Sequence, residues 1–114
     1  MSAITTHVLD LALGRPARGV PVRLEFHSAD RGWVKISERA TDDNGRIGDL
    51  VAAGSALETG HYRLTFETGE YFRARGESAF YPEVPVVFEI RDPKQHYHVP
   101  LLLSPFGYST YRGS

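Results

Sequence analysis

The sequence predicts an all-β domain, a two-sheet β-sandwich of Greek-key type with one short helix. Three observations carry that prediction. Short runs alternate apolar and polar residues at the period of two that a half-buried strand needs. Clusters of Gly, Pro, Asp and Asn punctuate the runs. Roughly seven or eight such runs fit a sandwich, and 114 residues suffice for one core and one domain, residues 1–114.

The first run, ITTHVLDLAL (4–13), is followed by the turn GRPARG. In VPVRLEF (20–26), Val22, Leu24 and Phe26 alternate with Arg23 and Glu25. WVKISERAT (33–41) sets Val34 and Ile36 on one face and Lys35 and Ser37 on the other. DDNG (42–45) is a turn by composition. HYRLTFE (61–67) points Tyr62, Leu64 and Phe66 inward. GEYFRARG (69–76) lacks alternation and reads as a short helix capped at Gly76. PVVFEI (85–90) turns Val86, Phe88 and Ile90 to the core. In QHYHVPLLL (95–103), Tyr97, Val99, Leu101 and Leu103 form the core face, leaving His96, His98, Pro100 and Leu102 opposite. YSTYR (108–112) is the last extended piece. Without a Cys–Trp–Cys pattern, a true immunoglobulin domain is not expected.

Composition narrows the function. Formal net charge is -1 and the 13 basic residues are scattered, so neither nucleic acid nor an anionic membrane is an expected partner. The absence of cysteine excludes disulfides and thiolate chemistry. The N-terminal stretch has no basic leader, and no apolar run reaches the length of a membrane span, so a cytoplasmic location is expected.

Few residues remain that could carry chemistry. His96 and His98 share one strand face, and two imidazoles there could bind zinc if a third ligand such as His7 joined them. The competing reading is a partner-contacting face, because Pro100 and Leu102 continue the row as apolar residues. His7 lies in the first strand with Thr5 and Leu9 on its face, and a neutral imidazole suits proton transfer near pH 7. Arg46 follows the DDNG turn; it is either a solvated turn arginine or a clamp for planar oxygen-bearing groups. DDNG lacks the spacing and terminal Glu of a calcium loop. The tail STYRGS could bring the Tyr111 phenol, the Arg112 guanidinium and the Ser114 carboxylate to one place, although a terminal Gly-Ser can also be a cloning remnant. A Ser–His–Asp triad from Ser109, His98 and Asp10 has no support in spacing.

Together these segments resemble the transthyretin-like family, and within it the 5-hydroxyisourate hydrolase branch. THVLD with GRPA (6–10, 14–17) is similar to the family's N-terminal signature, TDDNGRIGDL (41–50) to its central arginine motif, and FYPEV (80–84) also matches. HYHVPLLLSPFGYSTYRGS (96–114) is similar throughout, including the terminal Tyr-Arg-Gly-Ser of the hydrolases. The hormone-carrier branch lacks counterparts of His7, Arg46, His98 and that tetrapeptide, so a noncatalytic carrier is the disfavoured alternative. The resemblance implies two four-stranded sheets, a homotetramer built as a dimer of dimers, and a cleft between subunits bordered by strand 95–103. It implies a cyclic amide hydrolase without metal or organic cofactor, which opens the six-membered ring of 5-hydroxyisourate in urate breakdown. His7, Arg46, His98 and Ser114 would be catalytic, His7, Arg46 and Tyr111 would hold substrate, and His96 and Arg112 would support the site.

Overall fold

The computed structural model describes residues 3–114. Two sheets face each other across the core. In the first, β1 (Ile4–Asp10) meets β2 (Arg15–Pro16) and β5 (Arg46–Ile47) along one edge, and β8 (Tyr97–Ser104) in parallel along the other; β9 (Gly107–Thr110) closes the order β2-β1-β8-β9. The second sheet is antiparallel, with the order β4-β3-β6-β7, from β3 (Pro21–Ser28), β4 (Gly32–Ala40), β6 (Gly60–Phe66) and β7 (Val84–Ile90). The helix α1 (Thr68–Ala74) follows β6. The resemblance implied two four-stranded sheets; the first has five strands because two-residue β2 and β5 both pair with β1.

The alternating residues meet between the sheets. Ile4 and Val8 of β1, Leu101 and Leu103 of β8, Val22 and Leu24 of β3, and Leu64 and Phe66 of β6 are all buried. This removes the apolar side chains from water, the main favourable contribution to folding. The opposite face of the first sheet then carries Thr5, His7 and Leu9 from β1 and His98 from β8, so the alternation that builds the core also builds the site.

Three elements depart from the sequence reading. The first strand stops at Asp10, not at residue 13, because buried Asp10 accepts the Leu13 N–H through Oδ1 (3.1 Å) and the Tyr71 hydroxyl through Oδ2 (2.7 Å). This bond fastens α1 to the strand end, and burial first, then Asp10, pushes the Tyr71 phenol up to about 12. In β4, Leu24 faces Ser37 while Glu25 faces Lys35. Ile36 is therefore the extra residue of a β-bulge, exposed rather than inward, and Ser37 donates to the Leu50 carbonyl. The helix spans Thr68–Ala74 rather than 69–76, with Gly76 just past its end. The Gly76 N–H reaches the Arg73 carbonyl and the Glu77 N–H that of Phe72, which completes a Schellman cap.

Candidate active site

Arg46 is presented by a turn that the sequence spells out residue by residue. Asp42 Oδ1 accepts the backbone N–H groups of Asn44 and Arg46, both at 2.9 Å. Those bonds favour the ionised carboxylate and lower the Asp42 pKa, the Arg46 N–H contributing most. Gly45 has φ +74, and its carbonyl accepts the Val8 N–H at 2.7 Å. A Cβ at Gly45 would collide with the Val8 carbonyl oxygen. Gly45→Ala is therefore expected to destabilise the protein by about 1–3 kcal/mol, read as a lowered midpoint in urea. An unchanged midpoint would show that this turn can relax.

The turn hands Arg46 to β5, directly opposite His7 on β1. On the other side of β1, Thr5 pairs with His98 of β8. The His96 and His98 rings lie nearly parallel, with centroids 6.4 Å apart and planes 14° apart. One hydroxyl joins them: Thr5 Oγ1 is 3.1 Å from His96 Nε2 and 2.8 Å from His98 Nδ1. The C-terminal segment returns beside β8, where the Gly113 N–H donates to the His98 carbonyl at 2.8 Å. A cleft of ≈300 Å³ results, lined by Thr5, Arg46, His96, His98 and Ser114 among others. His7 stands at its margin beside Arg46 rather than in its wall.

The electrostatics favour neutral imidazoles. Burial first, then the Arg46 charge, lowers the His7 pKa below its ordinary value, against opposing pulls from the Asn44 backbone and Asp42. His98 is lowered by burial, then by Arg46, His96 and His7, against an opposing pull from the Thr5 backbone. An uncharged imidazole beside a guanidinium can accept a proton while the guanidinium stabilises negative charge on an oxygen. Among the described residues, no group of three or more His, Cys, Asp or Glu side chains is placed to hold a metal ion.

The profile of the HIUase/Transthyretin family matches residues 4–113. The chain belongs to that family. It is 48% identical over 111 residues to the 5-hydroxyisourate hydrolase of Salmonella dublin, covering 97% of this chain and 80% of that protein. Among solved structures, the Klebsiella pneumoniae 5-hydroxyisourate hydrolase superposes with a TM-score of 0.85 at 38% identity, over 100% of both chains. Sea bream transthyretin in complex with thyroxine gives 0.90 at 33% identity, over 98% of this chain and 95% of that one.

Membership of the HIUase/Transthyretin family accounts for the sandwich but leaves each predicted site residue to be placed. Arg46, His96, His98 and Ser114 come together, with His7 adjoining. Tyr111 does not join them within the chain: it is 57% exposed and lines a second cleft with Val86, Phe88 and Val99. Arg112 holds the start of β8 instead, donating to Gln95 Oε1 (2.9 Å) and the His96 carbonyl (3.1 Å) with its guanidinium over the Tyr97 ring. Pro100 is buried, so the row of side chains beside His98 is already partly covered. Thr5 and Gly113 were missed. Their importance depends on the parallel register of β1 on β8 and on the path of the tail, and neither leaves a local signal in the sequence. Among the described residues, no helix is long and apolar enough to cross a membrane.

Proposed function

We propose that the protein is a 5-hydroxyisourate hydrolase, which opens the six-membered ring of its substrate to 2-oxo-4-hydroxy-4-carboxy-5-ureidoimidazoline and needs no metal or organic cofactor. The observation that carries this reading is the cleft that unites Arg46, His98 and Ser114 in a chain nearly half identical, along almost its whole length, to a protein of that name. Hydrolysis of a cyclic amide needs an activated water, stabilisation of the carbonyl oxygen as it gains charge, and a proton for the leaving nitrogen. His98, with His7 beside it, prepares the water; both imidazoles are kept neutral by burial and by Arg46. The Arg46 fork binds the substrate's oxygens and opposes the developing negative charge. Ser114 closes the cleft on the side of the tail.

The working unit is a homotetramer, a dimer of dimers. Support comes from edge strands β7 and β9, each with a neighbour on one side only among the described residues, and from large apolar side chains left exposed, Val87 and Tyr111 at one cleft and Phe80 and Phe106 elsewhere, which another surface would cover. In that assembly Tyr111 would serve a site it does not reach within its own chain.

The test is the decay of freshly generated 5-hydroxyisourate, followed by ultraviolet absorbance with and without protein, and with chelator. The substrate also decays unaided, so the excess rate is the quantity of interest. Acceleration that persists in chelator is expected. Acceleration abolished by chelator would replace this reading with a zinc hydrolase. No acceleration by folded protein would leave the noncatalytic small-ligand carrier, in line with the neighbour solved in complex with thyroxine.

A further inference from the structure

The Thr5 hydroxyl touches two imidazoles and owns one proton. Its oxygen lies 2.8 Å from His98 Nδ1 and 3.1 Å from His96 Nε2, so it can donate to one ring while it accepts an N–H from the other. With neutral rings both contacts are met when both rings donate to the hydroxyl oxygen, and also in two arrangements that thread a proton through Thr5 from ring to ring. In one, His98 carries its proton on Nδ1 and donates to Thr5, Thr5 donates to His96 Nε2, and His98 Nε2 is a bare lone pair. In the other every hydrogen is reversed, and His98 Nε2 carries the proton. Only when both contacting nitrogens are bare is a contact left unmade, because the hydroxyl then has one proton for two acceptors.

We propose that Thr5 is a positioning residue that links His98 to His96 as a proton relay, so that a proton taken up in the cleft leaves through His96. The inference rests on the hydrolase reading above. The steps balance. Water gives a proton to His98 Nε2 as its oxygen attacks the carbonyl. The Nδ1 proton of His98 passes to Thr5 Oγ1, and the Thr5 proton passes to His96 Nε2. His96, now doubly protonated, releases its Nδ1 proton to solvent. No redox partner is needed, and the relay stops in the reversed arrangement, with a proton on His98 Nε2 available to the leaving nitrogen. Returning that proton restores the starting tautomer once His96 has been reprotonated from solvent.

The placement of the three groups suits this direction. Thr5 is buried and His98 half-buried, whereas His96 is exposed, so the chain of atoms runs from a screened interior end to water. The charged and titratable groups facing it are Arg46 from β5, His7 from β1, and Arg112 and Ser114 from the tail. Arg46 and His7 crowd the His98 end with positive or potentially positive charge, which opposes retention of a proton there. The near-parallel rings place both contacting nitrogens on one oxygen without either leaving its strand face.

The experiment compares Thr5→Val, which keeps the shape and removes the hydroxyl, with Thr5→Ser, which keeps the hydroxyl. Turnover of 5-hydroxyisourate is expected to fall about tenfold in Thr5→Val, part of what proton transfer by a positioned group contributes, with KM little changed. Thr5→Ser should restore most of it. In mixtures of light and heavy water the wild-type rate should bend as several protons move together, and the Thr5→Val rate should be linear. His96→Ala should lower kcat similarly, and the double variant should be no worse than either, since both interrupt one path. Wild-type turnover with Thr5→Val unchanged would overturn the relay and leave the hydrolase standing. Equal damage in Thr5→Ser and Thr5→Val would overturn it too, by assigning the effect to packing. Absence of acceleration by the wild type would remove the hydrolase reading and the relay with it.

Discussion

Arg46→Ala should lower kcat for 5-hydroxyisourate by about a hundredfold, the loss expected when one donor to a developing oxyanion is removed. The side chain is exposed and the turn beneath it is held by backbone groups and by Asp42, so stability should change by no more than about 0.5 kcal/mol. The variant carries a second signature. The Arg46 charge, after burial, is the larger of the influences that lower His7 and His98. A cation beside an imidazole disfavours its protonated form, so removing the cation raises both pKa values towards ~6.5. The proton-accepting form is lost as pH falls through the folded-state pKa. The acid limb of the Arg46→Ala profile should therefore lie at higher pH than that of the wild type. Arg46→Lys restores a charge but not the planar fork; it should bring the acid limb back while kcat recovers only in part. Unchanged turnover in Arg46→Ala would remove this side chain from the reaction, and a fall in kcat with no movement of the limb would separate substrate binding from the tuning of the histidines.

Arg46 also shows how far the sequence could be read. The DDNG turn was legible because its first and last residues have local jobs: Asp42 accepts two N–H groups, and Gly45 takes a left-handed φ that other residues avoid. The inward faces of β6, β7 and β8 were legible for a similar reason, since period-two alternation directly reports burial. What failed was non-local or broke the period. The bulge at Ile36 reverses the faces of β4 at a point where the composition does not change. The end of β1 at Asp10 depends on Tyr71, which lies 61 residues further along the chain. The gathering of Arg46, His96, His98 and Ser114 came from the family resemblance and from no spacing rule, because parallel pairing of β1 with β8 sets which residues of distant strands meet. Thr5 illustrates the limit. The alternation placed it on the face of His7 and said no more of it, and the same register makes its hydroxyl the one shared by two imidazoles.

Gly113→Ala should damage catalysis while leaving stability nearly intact. A Cβ at this position would sit 2.6 Å from His98 Cδ2 and 3.4 Å from Pro100 Cγ, whereas carbon atoms rest comfortably at about 3.5–4.0 Å. Pro100 is buried in β8 and cannot yield. Two responses remain. The His98 ring can rotate, which breaks the 2.8 Å contact between Nδ1 and Thr5. Alternatively the tail can lift, which breaks the Gly113 bond to the His98 carbonyl and carries Ser114 out of the cleft. Either shift moves a reacting group by about an ångström, and a misplacement of that size can reduce rate about a hundredfold. The thermal midpoint should hardly move, because residues 111–114 contribute no core side chain and the ends of a chain fray at little cost. Removal of Gly113 and Ser114 together distinguishes the two responses. If the tail lifts, the truncated protein and Gly113→Ala should share one kcat and one pH profile. If the ring rotates, the truncated protein keeps His98 on Thr5, so its acid limb should match the wild type while that of Gly113→Ala should not. A Gly113→Ala protein with wild-type kcat would show that the close approach of the tail to His98 has no part in the reaction.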